Sequence, residues 1–293
     1  MKSTNPLRYP GGKYFLTNYI DNVLEANQLY GCTFYEPYAG SAAVALELLL
    51  AEKVQKIVLI EQDPLIYAFW KSVIDYTDEL CERVDQLDVS LKTWNDMQKF
   101  KQAVSPLEFA IIDLGVAGLF LNRTNYSGIL KANPLGGKSQ SSVYKIDCRF
   151  NKQKTIGHIK RISERRTNIS VHWGDALVFL RNNNSLLHET NSFVYIDPPY
   201  FEQGKNLYRY YYNEVDHRRL ASTIKRKAYP WLISYDDHPF INQLYLNAPE
   251  LYQQRLYCDY TAQKHKKGKE LLISNRHLPP IQMALICAEE ATN

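Results

Sequence analysis

A chain of 293 residues, 45% hydrophobic and 23% charged, has room for one large α/β domain carrying a smaller inserted one, and its composition excludes disorder. The net charge of +4 permits a polyanionic partner without demanding one. Its five cysteines, widely spaced with no C-x-x-C pair and no histidine at ligand spacing, exclude a sequence-local zinc site and read as reduced core thiols.

The chain opens on Met1-Lys2-Ser3-Thr4-Asn5-Pro6, without the apolar run of a signal peptide, and no stretch approaches the ~20 apolar residues of a membrane span. The expectation is a cytoplasmic protein with neither membrane nor metal partner. Arg8-Tyr9-Pro10-Gly11-Gly12-Lys13 then sets a ring and an ammonium on a turn whose glycines let backbone approach a ligand, ahead of helical spacing through Leu24. A plain turn is the other use of such a segment. Phe34 to Ser41 followed by Ala42 to Leu49 reads as a strand, a Gly-containing turn and an apolar helix, the first β-α unit of an open parallel sheet. Lys56 to Pro64 supplies a second strand ending in acids, about 20 residues beyond that turn, where a carboxylate accepts from ribose hydroxyls. Glu61 is expected at the ribose, and Asp63 as the cap of a helix starting at Pro64.

From Trp70 to about Arg166 the alternation lapses. Helical spacing over 76–88 and 106–121 leads to Asn122-Arg123-Thr124-Asn125-Tyr126-Ser127-Gly128, a Gly/Ser-rich loop over 133–142 that holds Lys138, a candidate hairpin strand over 143–150, and a basic helix with Lys152, Lys154, Lys160, Arg161, Arg165 and Arg166. The expected division is a core domain of residues 1–70 and 167–293, with 71–166 inserted. The insert suits nucleic acid: Asn and Arg for base edges, Tyr126 for stacking, cations for phosphate. A solvated helix face is the alternative for the charge run.

Strand character returns over 169–175, ending at Asp175, and again over 193–196, then in Trp231 to Tyr235. Between the last two lie the ring-dense Tyr208-Arg209-Tyr210-Tyr211-Tyr212 and a helix with Asn213 as its cap. Two antiparallel strands, 252–257 and 270–274, flank a lysine cluster over 264–269. The 22 tyrosines offer rings for stacking, although half-buried structural positions account for most.

The most informative strand is the one that ends in Asp197-Pro198-Pro199-Tyr200. The Asp197 carboxylate and the Pro198 carbonyl would stand side by side as acceptors, and neither proline offers an N–H. Such a site matches a group with two N–H donors, such as the exocyclic amine of adenine. Two acceptors drawing those hydrogens out of the ring plane aim the nitrogen lone pair at an electrophile, so Asp197 orients the amine rather than acting as a strong base. Tyr200 would stack on a base turned out of the duplex, and a strand-ending turn is the other use of Asp-Pro-Pro-Tyr.

Tyr9-Pro-Gly-Gly-Lys13, Glu36-Pro-Tyr-Ala-Gly-Ser41, Asn122-Arg-Thr-Asn-Tyr-Ser-Gly128, Gly174-Asp175, Asp197-Pro-Pro-Tyr200 and Glu270-Leu-Leu-Ile-Ser-Asn275 together resemble the adenine-N6 DNA methyltransferases of the Dam type, the D12 class. The resemblance implies S-adenosylmethionine as cofactor, double-stranded DNA as substrate, and a Rossmann-like, mostly parallel sheet with one reversed strand and an inserted, mainly helical target-recognition domain. It also implies that Tyr9, Gly12 and Lys13 hold the cofactor's ends, that Glu36, Pro37, Tyr38, Ala39, Gly40 and Ser41 lie along its methionine, and that Glu61 or Asp63 takes its ribose. Asp175 would lie near its adenine or the mouth of the site, and Asp197 would face methyl donor and target amine. Asn122, Arg123, Asn125, Tyr126, Ser127, Lys138 and Arg161 would contact DNA. Two features depart from the family: Tyr9 stands where a tryptophan is usual, and Glu61-Gln62-Asp63 replaces the more usual Asp-x-Asn. Cytosine N4, RNA and a protein amide are alternative acceptors of the methyl group, and a DNA-binding protein without turnover is the alternative to an enzyme. A monomer is expected.

Overall fold

The computed structural model describes residues 5–9, 12–189, 191–246, 248–260 and 266–281. In chain order the elements are α1 (Thr17–Ala26), β1 (Thr33–Glu36), α2 (Ala43–Leu50), β2 (Lys56–Glu61), α3 (Pro64–Asp75), α4 (Thr77–Gln86), α5 (Leu91–Met97), α6 (Ile111–Thr124) and α7 (Lys152–Ser163). They continue with β3 (Ile169–Trp173), α8 (Ala176–Asn182), α9 (Asn184–Glu189), β4 (Ser192–Ile196), α10 (Gly204–Leu207), α11 (Glu214–Ile224), β5 (Trp231–Asp236), α12 (Pro239–Tyr245), β6 (Tyr252–Tyr260) and β7 (Lys266–Ser274).

The strands form one sheet in the order β3-β2-β1-β4-β5-β7-β6. All neighbours run parallel except β7, which is antiparallel to both β5 and β6. The expected mostly parallel sheet with a single reversed strand is therefore found. Strand order turns back between β1 and β4, and an open parallel sheet splits there at its carboxyl edge to leave a ligand crevice. Glu36 and Asp197 stand at the two strand ends that flank this point.

Side chains alternate across the sheet into two cores. Phe34, Ile57, Leu59, Phe193, Tyr195 and Leu232 pack with α1, α2, α3 and α6. Tyr35, Val194, Ile196, Trp231, Ile233 and Ile273 pack with α8, α11 and α12 on the other face. Because β4 is covered on both faces, all five of its residues are buried, which fits its unbroken apolar run.

The caps foreseen at Asp63 and Asn213 are present. Asp63 accepts from the Leu65 N–H at 3.0 Å ahead of Pro64, and Asn213 forms a capping box with Asp216. The boundary expected at 70/71 falls inside α3. Helix α6 packs directly on α3, so closely that a Cβ at Gly118 would lie 2.5 Å from the Leu65 carbonyl oxygen. Trp94, Phe100, Ile112 and Leu114 accordingly join the same core as the sheet.

Other local expectations are corrected. Helix α6 starts at Ile111 rather than near 106, because the Glu108 carboxylate accepts from the N–H groups of Val104 and Ser105 and holds a turn there. Residues 143–150 form turns rather than a strand, with Val143 and Tyr144 exposed and no partner strand beside them among the described residues. Cys148 is exposed, whereas Cys32 and Cys81 are buried as expected of core thiols. Lys264 and His265 of the lysine cluster lie outside the described residues. Among the described residues no helix is long and apolar enough to cross a membrane, and no group of three or more His, Cys, Asp or Glu could hold a metal ion.

Candidate active site

A cavity opens where β1 and β4 part, lined by the turn after β1, the acids after β2, Lys13, Asp197 and the loop carrying Tyr208 to Tyr212. It brings together every residue expected at the cofactor except Asp175: Tyr9, Gly12, Lys13, Glu36, Pro37, Tyr38, Ala39, Gly40, Ser41, Glu61, Asp63 and Asp197. Asp175 instead caps α8 by accepting from the Val178 N–H at 2.8 Å, and its neighbour Ala176 reaches the cavity.

The turn after β1 needs its glycine. Gly40 has φ +46°, and a Cβ there would sit 2.9 Å from the Tyr9 ring. The Gly40 carbonyl accepts from the Trp70 indole at 2.8 Å, and its N–H donates to Glu61 at 2.8 Å. Tyr9 in turn stacks on Tyr208, ring centres 5.8 Å apart.

The lining is rich in acid. Burial pushes the Glu36 carboxyl far above its usual range, against a hydrogen bond from the Ala45 N–H, and nearby Asp197 and Glu61 push it further up. Burial, with help from Asp63, raises Glu61 to about 7 against the N–H groups of Asp63, Gly40 and Gln62. Asp63 is raised by burial and held down by Arg209, whose guanidinium lies 2.9 Å away. Capping α3 and pairing with Arg209 commit Asp63, so Glu61 is the better placed of the two to receive a ribose. A ligand carrying hydroxyl and ammonium donors and a cationic sulfur fits these carboxylates and rings, so the donor set suits S-adenosylmethionine.

At the end of β4, Asp197 Oδ1 accepts from Ser234 Oγ at 3.0 Å and pairs with Lys13 Nζ at 3.1 Å. Lys13 is only 3% exposed, and its Nζ also lies 3.2 Å from Glu270 Oε1 and 2.7 Å from the Tyr200 hydroxyl. Burial raises the Asp197 pKa while Lys13 and Ser234 oppose it, and Asp236 adds a smaller push upward. Pro199 lines the cavity, Pro198 is buried, and Tyr200 is engaged by Lys13 both through its hydroxyl and through its ring, 4.2 Å from Nζ. Asp236 accepts from the N–H groups of Phe201 and Glu202 and so anchors the loop that follows.

The segment from Asn122 to Ser127 divides into hidden and presented residues. Asn122 is 0% exposed: its Oδ1 accepts from the Arg8 N–H at 2.7 Å, and its Nδ2 donates to the carbonyls of Arg8 and Gly128. Asn125, equally buried, accepts from the Trp94 indole and donates to the carbonyls of Ile129 and Leu130. Neither amide is presented to DNA, because each satisfies backbone or indole groups sealed inside the fold. Tyr126, by contrast, is 41% exposed, and Ser127, half-buried at φ +53°, turns the chain beside it. Lys138 and Arg161 are exposed, the latter on α7.

Arg123 lies between these groups. Burial, then the proximity of Arg8 and Arg149, lowers it to about 10, and its Nε and the Nη1 of Arg8 are buried without a partner among the described residues. His158 on α7, lowered by burial, feels Lys154, Arg123 and Arg161, which extends the same positive surface. Sequence reasoning did not single out Arg8, Arg149, His158, Ser234, Asp236 or Glu270. All of them except Asp236 lay in segments already noticed, but no spacing marked their roles.

The sequence model of the D12 class N6 adenine-specific DNA methyltransferases matches residues 9–258. No curated protein matches in sequence. Among solved structures, a Pyrococcus horikoshii protein described as "putative RNA methyltransferase PH1948" is similar, with 9% identity over 92% of this chain and 85% of that chain and a TM-score of 0.39. A likeness that weak carries no argument about substrate. The family match spans the cavity, the strand end at Asp197 and the segment from Asn122 to Ser127 alike, and the chain belongs to the D12 class of N6 adenine-specific DNA methyltransferases, enzymes that use S-adenosylmethionine.

Proposed function

We propose that this enzyme methylates an adenine turned out of double-stranded DNA, with Asp197 holding the target amine at the mouth of the cofactor cavity. The observation that carries the reading is the division of labour on Asp197: Oδ1 is taken by Lys13 and Ser234, while Oδ2 has no hydrogen-bond partner among the described residues. An anchored carboxylate of this kind presents its second oxygen to an N–H in a fixed direction.

S-adenosylmethionine, when bound, supplies an electrophilic sulfonium methyl group. Glu61 would accept from its ribose, the acid-rich turn after β1 would face its ammonium, and Tyr9 and Tyr208 would flank its ring. Asp197 and the Pro198 carbonyl would take the two amine hydrogens and bias the nitrogen toward a tetrahedral geometry, with its lone pair aimed at the methyl group. The carboxylate would stabilise the positive charge growing on nitrogen, and the extra proton on the methylated amine would pass to solvent after transfer.

On the DNA side, residues 71–166 would read the target. Arg8, Arg123 and Arg149 would meet backbone phosphates, with Lys154, Arg161 and Lys138 extending the path. The exposed Tyr126 ring would stack or wedge at the target, since a stacked base cannot reach the strand end. The same reading takes the enzyme to be a monomer of the cytoplasm, where buried thiols such as Cys32 stay reduced.

The reading is tested by incubating the protein with duplex DNA and labelled S-adenosylmethionine and digesting the product to nucleosides. Label should appear in N6-methyl-2′-deoxyadenosine; label in N4-methyl-2′-deoxycytidine, or transfer to RNA alone, would overturn it.

A further inference from the structure

Glu270 is 0% exposed and stands on β7 directly opposite Asp236 of β5. Opposed residues of an antiparallel pair share a face, and two carboxylates so placed repel one another. Burying Glu270 is costly unless it is paired, and Asp236 beside it is half-buried. Each has a partner that leads to the same place: Asp236 holds the backbone after Tyr200, and Glu270 lies 3.2 Å from Lys13 Nζ and accepts from the Tyr200 hydroxyl at 3.4 Å. Lys13 is thus flanked by Glu270 and Asp197, at nearly equal distances.

The charges decide what this arrangement does. Lys13 with Asp197 alone would be a neutral pair, and a neutral pair offers little to an amine nitrogen that is gaining positive charge. With Glu270 added, the trio carries a net negative charge, and the ammonium is shared. Resting on the reading of Asp197 as the amine's acceptor, we propose that Glu270 is a positioning residue for methyl transfer: by sharing Lys13 with Asp197 it takes up part of the ammonium's charge and keeps Asp197 an effective anion toward the adenine amine. It touches neither substrate nor cofactor and acts through Lys13 and Tyr200.

The test is Glu270→Gln, which keeps the shape and removes the charge, compared with Glu270→Asp, which keeps the charge on a shorter arm and leaves Lys13 in place. Single-turnover methylation of duplex DNA is measured alongside affinities for S-adenosylmethionine and DNA. Glu270→Gln should slow transfer about 10-fold to 100-fold, the scale of losing one electrostatic contributor, while both affinities stay within about threefold. Glu270→Asp should transfer faster than Glu270→Gln, because the charge that shares Lys13 is kept. A Glu270→Gln rate within twofold of the native rate, a parallel loss of cofactor affinity, or a folded Glu270→Asp no faster than Glu270→Gln would each overturn the role. If Glu270→Gln does not fold, Glu270→Asp decides alone: a rate within about tenfold of native supports the role, and a folded inactive protein overturns it. A native protein that labels no adenine would instead remove the reading of the site itself.

Discussion

If Glu61 receives the cofactor's ribose, cofactor affinity must depend on pH in a particular way. The side chain is 8% exposed, and burial with Asp63 beside it raises the carboxyl to about 7 against the N–H groups of Asp63, Gly40 and Gln62. Ribose hydroxyls donate hydrogen bonds, which favour the ionised form, so the pKa in the complex lies below that of the free protein. Affinity is then complete above about 7 and falls as pH drops, by up to tenfold per pH unit until the pKa of the complex is reached. A return from about 7 to the ordinary 4.5 would be worth ~3.4 kcal/mol, roughly 300-fold in affinity, as an upper bound. Titration calorimetry with S-adenosylmethionine between pH 8.5 and 5.5, on the native protein and on Glu61→Gln, measures this. The native protein should lose affinity toward acid, and the variant should bind more weakly at pH 8.5 with a flatter profile. A native affinity that does not change over this range, or a variant that binds as tightly with the same slope, would refute the reasoning.

Replacing Asn122 by Ala strands buried backbone groups of Arg8 and Gly128. It should cost about 3 kcal/mol and lower the thermal midpoint by several degrees, whereas a DNA-contacting side chain would lower DNA affinity and leave the midpoint unchanged. Gly40→Ala would force a Cβ against the Tyr9 ring at a left-handed φ, and cofactor affinity measured by calorimetry should fall about tenfold with little change in DNA affinity. For Arg123→Gln, the slope of log affinity against log salt should fall by about 1, to a similar extent on every DNA sequence; an unchanged slope would remove Arg123 from the phosphate path.

Much of the catalytic half was legible because parallel strands covered on both faces must be apolar runs. Phe193 to Ile196 and Ile57 to Ile60 announce themselves in this way, and the acids that stop them mark the carboxyl edge where ligands sit. Glycine at 40 was legible for a related reason, since a turn between strand and helix narrows the choice of residue. The partners of Lys13 were not, because no spacing rule connects it with a glutamate on the last strand. The segment from Asn122 to Gly128 misled for a physical reason. Asparagine has the same donor and acceptor as a peptide group, so the chemistry that suits a base edge also suits a buried backbone, and Asn122 and Asn125 serve the second purpose. Arg8 was missed as a cation because only the fold brings it to Arg123 and Arg149. Helix α5 is a short segment whose one buried residue, Trp94, gave no period to recognise.

The central claim is that the carboxylate at the end of β4, anchored on one oxygen by Lys13 and Ser234, orients the adenine amine with the other. The most direct measurement is single-turnover transfer of labelled methyl to adenine in duplex DNA by Asp197→Ala and by the native enzyme, at saturating cofactor and with DNA binding followed in parallel. The account predicts that the variant binds DNA as the native protein does and transfers no measurable label. A variant that still methylates adenine at a rate within about tenfold of native would contradict it.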